Sequence, residues 1–399
     1  MSNIRTASAF SLAATNDGAT AEIFDSLSRG CSGPPSLLIL FATQSLAQEG
    51  IALKIAACFP GVPIFGGTSC RGVITDAGIH LGQPHAVGAL AIWDVAGAYA
   101  SASAPIGDDP RAAARLALST ALERAGRSYE TPAQIWTCQP PGCEEEILTG
   151  FADIVGPQCP IIGGSSADEN IEGGWRQFSH EGVLRDCVVV AVLFPSAPLG
   201  LAFKSGYAPT ECTGVATKCD SHRLIEIDGR PAARVYSEWT KGGIDPAVPG
   251  NILQASTPSP LARRLGAYAG VDEFLLSHPA TVEPDGAITL FTKIAEGDVL
   301  YVMSGSRESL IERGGQVIRD AQASLPPTQT QVSGGFVIYC GGCMLAVSDE
   351  LAAVAEGMRG AFDEAPFLAA FTFGEQGALV SAGNRHGNLM IAASVLSCG

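Results

Sequence analysis

The sequence predicts an α/β protein of two related halves, with multi-stranded sheets covered by helices, built from repeated strand-helix-strand units. Three observations predict it. An apolar run, a helix-like segment and a second apolar run recur three times: from residue 37 to 69, from 134 to 166 and from 336 to 373. The second runs of the first two units, Val62-Pro63-Ile64-Phe65-Gly66-Gly67-Thr68-Ser69 and Cys159-Pro160-Ile161-Ile162-Gly163-Gly164-Ser165-Ser166, align almost residue for residue. Self-similarity of this kind marks one supersecondary unit used repeatedly. A hydrophobic fraction of 46% against 16% charged residues supplies a large core.

In chain order, residues 5–12 read as an edge strand, Asn16-Asp17-Gly18 as a turn and residues 20–28 as a helix. Leu46, Ile51, Ile55 and Phe59 share one helical face, and Pro60-Gly61 stops that helix. Residues 110–125 form a long helix joining the first two units. Residues 187–194 are nearly all apolar, as in a strand buried on both faces, and residues 199–206 pair with it. The chain changes character near Ser221, which places the division between domains 1–220 and 221–399. Beyond it, Asp285-Gly286 is a hairpin turn and residues 306–323 a helix. The third unit then runs as strand (336–339), a turn at Cys340-Gly341-Gly342-Cys343, helix (348–362), strand (367–373), a polar loop with Asn384, Arg385, His386 and Asn388, and a closing strand (389–396).

A formal net charge of −16 argues against a nucleic-acid partner, because phosphate binding needs clustered Lys and Arg. It argues equally against docking on anionic membranes. The first residues lack the basic start and apolar core of a signal peptide, and no apolar run reaches the ~20 residues a membrane span needs. The expectation is a cytoplasmic protein without membrane insertion, whose twelve cysteines are mostly small, buried and reduced.

The order and spacing of these landmarks resemble the FIST sensory domain. Gly66-Gly67-Thr68-Ser69, Ile162-Gly163-Gly164-Ser165 and Lys204-Ser205-Gly206-Tyr207 resemble its amino-terminal half. The segment from Ile225 to Ala232, Asp285-Gly286-Ala287-Ile288 with Glu296-Gly297, Phe371-Thr372-Phe373-Gly374-Glu375 and His386-Gly387-Asn388 resemble its carboxy-terminal half. The resemblance implies a bacterial signal-transduction protein that binds a small ligand or gas and acts on a separate partner, such as a histidine kinase or diguanylate cyclase. Some stand-alone members bind haem and sense nitric oxide. One departure is that Cys340-Gly341-Gly342-Cys343 stands where the family usually carries an arginine-bearing turn.

The expected ligand site lies at the glycine-rich strand ends, where α/β sheets bind ligands. Its candidate residues are Gly66, Gly67, Thr68, Ser69, Arg71, Gly163, Gly164, Ser165, Ser166, Cys340, Cys343, Glu375, Arg385, His386 and Asn388. Glycine pairs permit close backbone approach, either to a ligand or simply to a neighbouring strand. His386 is the candidate metal ligand, for haem iron, or else a fastener of its loop. His80, His85, His180, His222 and His278 read as surface or loop residues. Cys340 and Cys343 have C-x-x-C spacing between a strand and a helix, where backbone N–H groups lower a thiol pKa. They read as a redox or metal-linked pair, as packed thiols, or as the centre of a thiol-dependent enzyme. Ser69 sits in no Gly-x-Ser-x-Gly elbow, and no phosphate-binding glycine fingerprint is present, so no catalytic residue is assigned.

Overall fold

The structure is a computed structural model describing residues 4–30, 33–48, 50–82, 84–268, 270–329 and 331–399. Its first unit contains β1 (Arg5–Ser11), α1 (Asn16–Gly30), β2 (Leu37–Ala42), α2 (Gln44–Gln48), α3 (Ile51–Cys58), β3 (Ile64–Thr68), β4 (Gly72–Thr75), β5 (Gly78–Leu81) and β6 (Val87–Trp93). The second repeats this order with β7 (Ala98–Pro105), α4 (Pro110–Arg124), β8 (Gln134–Gln139), α5 (Glu144–Val155), β9 (Ile161–Ser165), β10 (Gln177–Ser179), β11 (Gly182–Leu184) and β12 (Cys187–Phe194). The third opens on β13 (Leu199–Lys204) and is interrupted by residues 208–304, which hold the strands from β14 (Ala208–Asp220) to β22 (Val299–Ser304) and helices α6 (Ala232–Trp239) and α7 (Leu253–Ser256). It resumes with α8 (Arg307–Ala323), β23 (Val332–Cys340), α9 (Gly341–Ala346), α10 (Leu351–Ala361), β24 (Phe367–Thr372), β25 (Glu375–Leu379), β26 (Gly383–Gly387) and β27 (Ile391–Ser397).

The described residues form three six-stranded sheets, one per unit, and a nine-stranded sheet from the interruption. In each unit the two central strands run parallel, and the helices between them supply the crossover that parallel pairing requires. The three sheets exchange hairpins in a closed cycle. Hairpin β4–β5 of the first unit completes the third sheet, β10–β11 of the second completes the first, and β25–β26 of the third completes the second. The strand-helix-strand repetition read from the sequence is therefore present three times, with strands crossing between the two halves of the chain.

Alternation along the strands decides the layers. In β2, Leu38, Leu40 and Ala42 face out and pack with Ile23, Leu27 and Ile55 of α1 and α3, while Leu37, Ile39 and Phe41 face in. In β12, Val188, Val190 and Val192 meet α4 and α5, while Val189, Ala191 and Leu193 face in. The inner faces of all three sheets meet at the rings of Phe41, Phe65, Trp136 and Phe336, whose centroids lie 5.1–6.3 Å apart.

Several local expectations need correction. The first helix begins at Asn16, where a turn was expected, and Gly50, at φ +86°, divides the next helical stretch in two. The expected pairing of 199–206 with 187–194 is not formed; β13 pairs with β27, while β12 pairs with β7 and β8. The Cys340–Cys343 turn is the start of α9. The polar loop at 384–388 is largely β26, held in register by β25. The division expected at 220/221 falls at the turn between β14 (Ala208–Asp220) and β15 (Arg223–Ile227), within the inserted sheet.

The glycine pairs lie inside strands and serve packing between backbones. A Cβ at Gly66 would sit 1.7 Å from the Leu40 carbonyl oxygen, and one at Gly163 would sit 2.3 Å from that of Thr137. Ser69 joins the first unit to the third: its hydroxyl donates to the Gly72 carbonyl and accepts from the Phe371 N–H at 2.8 Å. Ser69→Ala should lower unfolding stability by about 1–3 kcal/mol, the cost of orphaning that buried N–H. Denaturant titration measures it; an unchanged midpoint would show that the hydroxyl is dispensable.

Candidate functional site

The C-terminal ends of the central strands converge under the inserted sheet, and between them lies a cavity of about 870 Å³. The first unit contributes Arg71 and the second Pro141, Ile171 and Trp175. The third contributes Cys340, Phe373 and Asn388, and the insertion contributes His278 and Phe291. Trp175 and Phe373 meet edge to face, with centroids 6.3 Å apart, so two units close one wall through an aromatic pair.

A few polar groups punctuate this apolar lining. Arg71, held at φ +61°, has no ion-pair partner among the described residues, whereas Arg307 on the same cavity is bound by Glu350 at 2.8 Å. Asn388 is buried, and its side-chain oxygen has no hydrogen-bond partner among the described residues. His278 is buried rather than superficial. Its Nε2 lies 3.0 Å from the Leu253 carbonyl, and burial pushes its pKa down to about 4, so the ring is neutral at pH 7. His80 is buried too, bonded to Thr75 and stacked on Phe10, which corrects a second surface assignment.

A second polar cluster lies outside the cavity. His386, 3% exposed, is wedged between two glutamates at the start of α5: Nδ1 is 3.5 Å from Glu145 Oε1 and Nε2 is 3.9 Å from Glu144 Oε1. Glu144 is fixed by the Ser165 hydroxyl at 2.6 Å and the Gly142 N–H at 2.9 Å. Burial by itself lowers the His386 pKa, but Glu144 and then Glu145 outweigh it and raise it to about 9. Burial raises the Glu145 pKa, yet the adjacent His386 and the Lys293 N–H bring it down to about 2. The three side chains offer one ligand atom each within 4.8 Å of one another, a spacing within reach of a divalent cation. Haem does not fit here, because the imidazole is enclosed by carboxylates and does not line the cavity.

Of the residues expected at the site, Arg71, Cys340 and Asn388 line the cavity. Cys343 is fully buried and faces the Cys340 thiol. Gly66, Gly67, Thr68, Ser69, Gly163, Gly164, Ser165 and Ser166 are buried in the junctions between sheets. Glu375 accepts from the Thr372 hydroxyl and the Met390 N–H, and burial pushes its carboxyl well above the usual range. Arg385 is exposed and donates to the Asn384 carbonyl. Sequence reading passed over Trp175, His278, Glu144 and Glu145. Only the run Glu144-Glu145-Glu146 at a helix start was locally visible, and its partner lies more than 200 residues away.

Residues 36–230 match the FIST N domain and residues 232–378 match the FIST C domain. The chain belongs to the FIST family. FIST domains are sensory domains of signal transduction that bind small ligands. The two FIST regions meet at the short strand Arg230–Pro231 within the inserted sheet, so FIST N and FIST C both wall the cavity. An uncharacterized protein of Methanocaldococcus jannaschii is 34% identical over 108 residues, which are 26% of this chain and 20% of that protein. The match thus spans about a fifth of that relative's length. Among solved structures, a cyanuric acid hydrolase aligns over 99% of this chain and 100% of its own at 10% identity and a TM-score of 0.36. The enzyme from A. caulinodans aligns over 100% and 99% at 9% identity and a TM-score of 0.35. Likenesses this distant carry no activity across to the FIST chain.

The His386 cluster predicts a pH signature. Its pKa is raised by folding, from 6.5 to about 9, so its stabilisation is complete below 6.5 and lost as pH rises through 9. Between those limits wild type should lose on the order of 2–3 kcal/mol more stability than His386→Gln. Chemical denaturation at stepped pH tests this; parallel profiles for the two proteins would contradict it.

Proposed function

We propose that the cavity is the sensory site and that its ligand is a small molecule with an apolar body and an anionic group. The observation that carries this reading is Arg71, an exposed cation with no ion-pair partner among the described residues, on the same mostly apolar cavity lining as the buried Asn388. A guanidinium in such a setting favours a carboxylate or phosphate, through paired charge-assisted hydrogen bonds. A ligand there touches all three units and the insertion together, so binding favours one arrangement of the four over others. The output is contact with a separate signalling protein of the histidine kinase or diguanylate cyclase class, a reading supported by the family alone. A cytoplasmic setting belongs to the same proposal, since the described cysteines are all unpaired thiols, as a reducing compartment keeps them.

Matched aryl and alkyl carboxylates and their amides, tested by calorimetry and thermal shift, decide the ligand class. Carboxylates should bind and raise the melting temperature, amides should bind at least tenfold more weakly, and Arg71→Ala should remove the difference, a loss of about 1.4 kcal/mol or more. Equal binding of acid and amide would sink the reading.

A second reading is favoured by His278, a neutral imidazole on the cavity wall with one ring nitrogen engaged by the Leu253 carbonyl. In it the cavity takes haem, with His278 as iron ligand in place of His386, and the bound haem supplies the centre for nitric oxide. Protein expressed with haem precursor should then show a Soret band that His278→Ala abolishes and His386→Ala leaves intact. Well-folded protein from that expression without a Soret band discards this reading.

A further inference from the structure

Arg313, on α8, is a buried cation without a carboxylate. It is 3% exposed, its Nη1 donates to the Leu389 carbonyl at 3.3 Å, and its Nε and Nη2 have no hydrogen-bond partner among the described residues. Its guanidinium lies over the rings of Tyr207 and Tyr339, 5.9 and 5.2 Å from their centroids. A buried charge with no partner is strongly unfavourable, so the surroundings must supply an anion. The ionisable groups that face it are the thiols of Cys343 and Cys340 and the phenols of Tyr207 and Tyr339. Thiols are the more acidic of these by more than one pKa unit in free solution.

Cys343 is the better placed counter-ion. Burial and the neighbouring Glu375 carboxyl oppose its ionisation, but the adjacent Cys340 thiol and the Arg313 charge outweigh them, and its pKa falls below the ordinary thiol value. Cys340, by contrast, is held protonated. Only Cys340 reaches the cavity, at 6% exposure against 0% for Cys343. Gly342 lines the cavity beside it, and a side chain there would begin 3.6 Å from the Cys340 sulfur, so the missing Cβ keeps that sulfur approachable.

We propose that Cys340 and Cys343 form a reversible dithiol–disulfide switch, charged by Arg313 and oxidised by an apolar hydroperoxide that enters through the cavity. The reaction begins when the shared proton moves from Cys340 to Cys343. The Cys340 sulfur attacks the outer peroxide oxygen, the O–O bond breaks and an alkoxide leaves, taking up the Cys343 proton as alcohol. The Cys343 thiolate then attacks the Cys340 sulfenic acid, the S–S bond forms, the S–O bond breaks and hydroxide leaves. Thiol, thiolate and hydroperoxide become disulfide, alcohol and hydroxide, and two electrons pass from the sulfurs to the peroxide oxygens. The negative charge departs with the hydroxide, so Arg313 loses its counter-ion. Tyr207, stacked on Arg313, also anchors the insertion by donating to the Thr257 carbonyl at 2.8 Å, which gives the oxidised state a route to the cavity roof. The proposal uses the cavity but not Arg71, so it and the carboxylate reading can fail separately.

The test is residue-resolved thiol mass spectrometry on the full chain during titration with cumene hydroperoxide. A dithiothreitol-reversible Cys340–Cys343 crosslink should form at least tenfold faster than oxidation of the partly exposed Cys58 and Cys398. Cys343→Ser should stop at a dimedone-reactive sulfenic acid on Cys340. Arg313→Met should slow crosslinking at least tenfold and Arg313→Lys should restore most of the rate, which a merely structural role of the side chain would not do. If Arg313→Met does not fold, the wild-type ranking against Cys58 and Cys398 and the pH dependence of alkylation at Cys343 decide instead. Oxidation of the pair no faster than those controls, or alkylation with the pH profile of a free thiol, overturns the proposal.

Discussion

Everything in this protein depends on three sheets burying their inner faces against one another. Phe41 and Phe65 from the first unit, Trp136 from the second and Phe336 from the third meet in one aromatic cluster. Each such contact adds roughly 0.5–1.5 kcal/mol beyond the area it buries. No unit can bury its inner face alone, and none completes its own sheet, because each takes its last hairpin from a neighbour. Strands of the FIST N and FIST C regions therefore share sheets.

The polar architecture follows from that closure. Where sheets approach at their strand ends, glycines remove side chains that would collide: a Cβ on Gly67 would lie 2.7 Å from the Cys138 sulfur, and one on Gly164 would lie 2.5 Å from the Thr372 methyl. Hydroxyls then satisfy the backbone groups at those junctions, as Ser69 and Ser166 do. The exchanged hairpin β25–β26 carries His386 onto the second unit, where Glu144 and Glu145 hold it by charge. What remains open is the space between the strand ends and the insertion, and there Arg71, the neutral His278 and the Cys340 thiol are found.

Much of this was legible in the sequence because it is local. The repeated Val-Pro-Ile-Phe-Gly-Gly-Thr-Ser and Cys-Pro-Ile-Ile-Gly-Gly-Ser-Ser segments carry the apolar run of a buried strand, and they lie where expected. The hairpin exchange was not legible, because nothing in residues 72–81 distinguishes pairing with β24 from pairing within their own unit. For the same reason the sequence leaves the glycine pairs open between a ligand and a neighbouring strand, and in the structure their partners are neighbouring strands. Arg313 lies in a segment read only as a helix; its meaning comes from Tyr207, Tyr339 and Cys343, which converge only in three dimensions. Arg71 was legible because it presents a polar group in the loop that follows a glycine-rich strand end.

The central claim is that one ligand in the cavity bridges all three units and the insertion. Hydrogen–deuterium exchange of the full chain, with and without a saturating carboxylate ligand, tests it most directly. The account predicts added protection in four separate stretches at once: around Arg71, at residues 171–175, at 251–258 and at 340–346. Protection confined to a single unit, or located away from these stretches, would contradict it.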